Sequence, residues 1–154
     1  LAYSNSLSEG TEVIHTDLRG RWRAGDPEVV EAIGKWASYA ESVAELLQSE
    51  PNEERDREIA RILDANFDLR RSVCCVSEGN IRLIESLRSY GASAKFAGSG
   101  GAIVGTYPSE TAFERMRSEL GARSIEVLKP TLTPSRSQGI DTDEPAAENP
   151  KWVI

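Results

Sequence analysis

The apolar spacing along this chain changes character once, near Gly91, and that change limits the folds open to it. From Pro27 to about residue 90 the apolar residues recur three and four positions apart; beyond Gly91 they fall in short strand-like segments broken by glycine. The spacing predicts a helix from Pro27 to about Gln48, with Asp26 as N-cap and Pro27 at the first helical position. Its single buried face is expected to hold Val29, Val30, Ile33, Trp36, Ala37, Ala40, Val43, Ala44 and Leu47. Pro51 separates it from a second helix reaching about Cys74, whose inner face reads Ile59, Ile62, Leu63, Asn66, Arg70 and Val73. A third, over 78–90, carries Ile81, Ile84 and Leu87, with Gly91 as its stop.

Two strand-like segments then follow, around 93–97 and 102–107, on either side of Gly98-Ser99-Gly100-Gly101. Ser109 is placed to cap a fourth helix with Ala112, Phe113, Met116 and Leu120 on one face, Gly121 ends it, and 124–130 reads as a final strand. Upstream, residues 1–4 read as the end of a strand, 4–13 as a polar loop turning at Gly10, and 16–23 as a short helix. Helices first, then strand, glycine loop, strand, helix and strand make an α+β fold: helices packed on a small antiparallel sheet rather than a doubly wound parallel one. Residues 1–130 read as one domain and 131–154, rich in Pro, Ser, Thr, Asp and Glu, as a flexible tail. The apolar start at Leu1, with no Met before it, is expected of a piece of a longer polypeptide.

Charge and composition narrow the function. A formal net charge of −7 argues against a nucleic-acid partner, which requires a basic stripe to displace counterions. No apolar run approaches the ~20 residues of a membrane span, and the start has no signal-peptide pattern. Cys74 and Cys75 are adjacent, a poor geometry for a mutual disulfide, so reduced thiols and a cytoplasmic setting are expected. With His15 the single histidine, these cysteines make no metal site, and the acidic run Asp141–Glu144 reads as solvated.

Three features could carry chemistry. The loop Gly98-Ser99-Gly100-Gly101 lacks Cβ atoms at three positions, so a ligand or another backbone can approach it closely and its N–H groups can form an anion nest. It is neither a Walker loop nor a dinucleotide fingerprint, and an ordinary glycine hairpin is the alternative. Asn66 and Arg70 share a stripe with Ile59, Ile62 and Leu63, where a guanidinium needs a partner: a bound carboxylate or phosphate, or a structural acid such as Asp17 or Asp68. His15, Thr16 and Arg19 follow a strand and a loop, a position suited to lining a pocket, whereas Arg21 and Arg23 read as a solvated basic turn and Trp22 and Trp36 as core or groove residues.

In combination these pieces resemble the C-terminal half of the GHMP kinases: a helix carrying LDANFDLRR (63–71), a further helix, then AKFAGSGGAIVG (94–105) as the glycine loop between two strands. Within that family the chain is most similar to the glucuronokinases of plants and their relatives, with NFDLRR at 66–71, AKFAGSGGA at 94–102 and the spacing His15, Arg19, Arg21, Trp22 in the same order. The similarity runs over about residues 1–130.

The resemblance implies a ferredoxin-like lobe and ATP-dependent phosphorylation of the anomeric hydroxyl of a sugar or sugar acid such as glucuronate. It implies ATP and Mg²⁺ held mainly by an N-terminal lobe of the same polypeptide, whose PxxxGLGSS-type phosphate loop is not among these 154 residues. Gly98, Ser99, Gly100 and Gly101 are expected to pack against that phosphate loop. Asn66, Arg70, Arg71, His15, Thr16 and Arg19 are expected on the substrate side, with Arg70, or else Arg71, pairing with a substrate carboxylate. No catalytic residue is assigned within the chain, and alone it is expected to be inactive. The competing expectation is a non-catalytic module that binds a small metabolite or a partner.

Overall fold

Side-chain caps set the helix boundaries. Asp26 Oδ1 accepts the Glu28 N–H (3.0 Å), Asn52 Oδ1 the Arg55 N–H (2.9 Å) and Ser109 Oγ the Ala112 N–H (3.2 Å). The computed structural model describes residues 1–7 and 11–131, and for 11–16 the backbone only. In order, the elements are β1 (Ala2–Tyr3), a 3₁₀ turn (Asn5–Leu7), α1 (Thr11–Arg23), α2 (Pro27–Gln48), α3 (Glu53–Val73), α4 (Glu78–Arg88), β2 (Lys95–Phe96), β3 (Ala102–Val104), α5 (Glu110–Gly121) and β4 (Glu126–Val127). The proposed tail and Gly10 lie outside the described residues.

The sheet has the order β2-β3-β1-β4, with every neighbouring pair antiparallel. Its register sets Ala2 opposite both Ile103 and Val127, and Phe96 opposite Ile103. β1 is thus inserted between the strands that flank α5, and β3 separates β1 from β2: the split βαβ arrangement of ferredoxin-like folds, as expected of an α+β chain. The β1–β4 pairing extends by one residue, with Leu1 and Leu128 exchanging N–H···O bonds of 2.9 and 2.8 Å.

One core lies under the sheet. Phe67 of α3, Leu83, Ile84 and Leu87 of α4, Phe96 and Ile103 of the sheet, and Phe113, Met116 and Leu120 of α5 are all buried in it. Phe67 meets Phe96 edge to face, with centroids 5.2 Å apart, a favoured aromatic geometry. Asp64 and Arg88 tie α3, α4 and β2 together at its margin. Asp64 Oδ1 accepts the Ala94 N–H (2.8 Å) and lies 2.9 Å from Arg88 Nε, and Arg88 Nη1 donates to Asp68 (2.7 Å). Gly105 is required by packing, because a Cβ there would overlap the Ser93 carbonyl group.

Several expectations are corrected. Helix α1 begins at Thr11, inside the segment read as a loop. On α2 only Val29 and Ala32 are buried, and Val30, Ile33, Ala37, Ala40, Ala44 and Leu47 are exposed. These residues make one wide apolar face: α1 and α3 cover one edge of it, Ala40, Ala44 and Leu47 open onto a cleft between α2 and α3, and Val30, Ile33 and Ala37 form an exposed flank. On α3 the inner face is Ile59, Ile62, Phe67 and Val73, with Leu63, Asn66 and Arg70 half-buried at its edge. α5 ends at Gly121 as expected, and the left-handed residue that follows is Ser124 (φ 60°). Trp22 is 53% exposed, neither core nor groove. Arg21 is no solvated turn residue: Nε donates to Asp26 (2.7 Å) and Nη1 to the Val73 carbonyl at the end of α3 (2.6 Å). Hydrogen bonding to that guanidinium holds the Asp26 carboxyl below its ordinary range. Cys74 and Cys75 are both free thiols, and burial pushes the Cys74 thiol up. Among the described residues no helix is long and apolar enough to cross a membrane.

Candidate functional site

The hairpin between β2 and β3 closes where the Ala97 N–H donates to the Ala102 carbonyl (2.9 Å), leaving residues 98–101 as the turn. Four glycine-rich residues have little packing of their own to select one conformation, so the surroundings must supply it. Three elements do so. From α3, Arg70 Nη1 donates to the Gly98 carbonyl (2.9 Å) and Nη2 to the Ser99 carbonyl (3.0 Å), with the guanidinium 4.9 Å from the Phe96 ring centroid. From α4, Asn80 Oδ1 accepts the Gly101 N–H (2.9 Å). After β1, the Ser4 N–H donates to the Gly101 carbonyl (3.0 Å). Gly101 meets both bonds at φ 74°, a conformation open to glycine and costly for other residues.

Asn80 is fully buried and is matched on every side shown. Its Nδ2 donates to the Leu7 carbonyl (3.3 Å) and to Ser77 Oγ (3.1 Å). A buried amide is tolerated when its donors and acceptor are all used, and such a network holds one geometry. Sequence reasoning passed over Asn80. Its signal was present: Asn80 falls on the stripe of Leu83, Ile84 and Leu87 at helical spacing, so it had to face inward.

Arg70 is therefore built into the loop corner through carbonyl oxygens, not through Asp17 or Asp68. Asp17 lies 3.9 Å from Arg21, and Asp68 bonds Arg88. Asn66, one turn before Arg70, is half-buried; its carbonyl accepts the Trp36 Nε1–H (3.3 Å) and the residue lines a cleft between α2 and α3. Arg71 points away from the loop, 3.3 Å from Glu85 on α4. Arg19 is exposed on α1, and the side chains of His15 and Thr16 lie outside the described residues. The structure thus brings Asn66, Arg70 and Gly98–Gly101 together; Arg71 is not among them.

Lys95, at the foot of the loop, opens the motif that carries the resemblance but was given no site role from the sequence. It is half-buried, donates from Nζ to the Phe96 carbonyl (2.8 Å) and borders the same cleft as Asn66. Burial, and then the nearby Arg70 cation, lower the pKa of its amine. Around Gly98 the Cβ direction is open, with no atom of the described residues within 4 Å. The corner thus offers a fixed backbone turn with free space at Gly98, a cation beside it and a cleft below.

A family model described as GHMP kinases C terminal matches residues 42–126, which contain α3, α4, the loop, α5 and the start of β4. Probable glucuronokinase 2 of Arabidopsis thaliana is 31% identical over 145 residues, 92% of this chain and 38% of that protein. Glucuronokinase 1 of Arabidopsis thaliana is 32% identical over 107 residues, 68% of this chain and 28% of that protein. The chain spans well under half the length of these relatives, and no solved structure matches it. The matched segment carries the NFDLRR helix and the glycine loop that this helix clamps, and on that combined ground the chain belongs to the GHMP kinase C-terminal family.

Proposed function

We propose that this chain is the acceptor-side, C-terminal part of an ATP-dependent kinase that phosphorylates the anomeric hydroxyl of a sugar acid such as glucuronate. The observation that carries this reading is the similarity to two glucuronokinases, in one case along 92% of the chain. The site geometry supports it in a specific way. Phosphoryl transfer depends on positioning and charge stabilisation more than on covalent chemistry from the protein, so a loop held rigid from three sides is a useful component. Arg70 acts by fixing the loop's carbonyls, and Asn66 borders the space where the acceptor lies. The open side of Gly98 admits the backbone of a second lobe.

Among the described residues no three His, Cys, Asp or Glu side chains gather where a metal could be held. Mg²⁺ at phosphoryl-transfer sites is held by one or two carboxylates together with substrate phosphates, and we assign the metal and the nucleotide phosphates to the part of the kinase that the relatives have beyond the matched length. A polypeptide limited to these 154 residues should accordingly show no turnover.

The test is ADP release by the longest natural polypeptide containing this chain, with ATP and Mg²⁺ present. Release that depends on glucuronate and is at least tenfold slower with glucose supports the reading. Correctly folded protein with no glucuronate-dependent release contradicts it and favours a binding module.

A further inference from the structure

Lys95 has surroundings that call for an anion. In β2 it alternates with Phe96, which turns into the core, so Lys95 projects the other way, onto a cleft of about 390 Å³ bordered by Tyr39, Val43, Leu63 and Asn66. That volume suits a small metabolite. The walls are mostly apolar, and Asn66 and Lys95 are the polar side chains at the α3–β2 end. An ammonium has three donors, and one is used, on the Phe96 carbonyl. Lys95 forms no ion pair among the described residues, although it is half-buried beside the Arg70 cation. A desolvated cation next to a like charge is unfavourable until an anion joins it. Arg70 is less available for that anion, because its two terminal nitrogens are bonded to Gly98 and Ser99.

We infer that Lys95 is the specificity-determining residue of the acceptor site: its ammonium receives the carboxylate of the sugar acid at the α3–β2 end of the cleft, beside the Asn66 amide. This rests on the sugar-acid kinase reading above and assigns the carboxylate to one side chain. A neutral sugar at the same place would leave the ammonium without its counter-charge, so discrimination follows from a donor left unmatched rather than from size.

The experiment is calorimetric titration of the longest natural polypeptide with glucuronate and with glucose, alongside ADP release, for the wild type, Lys95→Met, Lys95→Arg and the control Lys35→Met on the exposed face of α2. Lys95→Met should weaken glucuronate binding about 10- to 100-fold, the usual range for losing a charged hydrogen bond. Glucose binding and the KM for ATP should not change. Lys95→Arg should recover part of the loss, and Lys35→Met should behave as wild type. Thermal unfolding confirms that each variant is folded; if Lys95→Met is not, Lys95→Gln takes its place. Glucuronate bound by Lys95→Met as tightly as by wild type, with turnover intact, overturns the assignment and leaves the kinase reading in place. Wild type that binds glucuronate without ADP release, with binding lost in Lys95→Met, overturns the kinase reading and upholds the carboxylate site. Wild type that binds no glucuronate overturns both.

Discussion

The glycine-loop corner and the exposed flank of α2 sit on the same domain and are built on opposite terms. At the corner, Arg70, Asn80 and Ser4 reach a four-residue turn from three elements, and Gly101 has both its N–H and its carbonyl engaged. On α2, Val30 and Ile33 are 48% and 42% exposed, with Ala37 exposed beside them. The corner is made of residues with weak intrinsic preference and acquires its shape from long-range hydrogen bonds. Helix α2 has strong local periodicity and a cap and needs few contacts to exist. Sites that must hold one geometry rest on the first kind of construction, and substitution costs should separate the two regions sharply.

The largest effect is expected next to the corner. Gly105→Ala would drive a methyl group into the Ser93 carbonyl, so the β2–β3 hairpin must shift, and equilibrium urea unfolding should show a loss of about 3 kcal/mol. Gly98→Ala, with open space around it, should change stability by less than about 0.5 kcal/mol. Similar costs at both glycines would mean that the corner is not packed as described. Next comes Asn80→Ala, which strands the Gly101 N–H and the Leu7 carbonyl in a buried setting, for a loss of about 2 kcal/mol in the same assay. Amide hydrogen exchange should then speed up at Gly101 while the middle of α2 is unchanged. The smallest effect belongs to α2. Ile33→Lys replaces an exposed apolar side chain on a helix and should alter stability by no more than about 0.5 kcal/mol. A loss of about 2 kcal/mol or more there would show that this flank of α2 is covered and would erase the contrast.

The same contrast explains what could be read from the sequence. Caps and breaks placed α2, α3 and α5 within a residue or two, because Asp26, Pro51 and Ser109 act on their own neighbours; the Asn52 cap on α3 went unread. The glycine hairpin was legible for a similar reason. Sheet order was not a matter of local pattern: β1 pairs with β3 and β4 about a hundred residues away, through strands of two or three residues, too short to show alternation. It entered only through family resemblance. On α2 the apolar face is wide, and spacing alone does not tell its covered edge at Val29 and Ala32 from its exposed flank at Val30, Ile33 and Ala37. On α3 the stripe was read as running inward through Asn66 and Arg70, which lie half-buried at its edge, and Arg70 reaches two carbonyls in a loop 28 and 29 positions on. Carbonyl partners leave no mark in residue identity, unlike an Asp or a Glu. Lys95 was read as part of the glycine-loop motif but given no role, because a lysine in a two-residue edge strand ordinarily faces water.

The central claim is that this domain serves transfer of a phosphoryl group to a sugar acid. The most direct measurement is phosphorus NMR of ATP, Mg²⁺ and D-glucuronate with the longest natural polypeptide containing this chain. The account predicts a growing sugar 1-phosphate resonance matched by ADP, absent when glucose replaces glucuronate and absent with the 154-residue chain alone. An unchanged ATP spectrum from folded full-length protein, or an equal sugar phosphate signal from glucose, would contradict it.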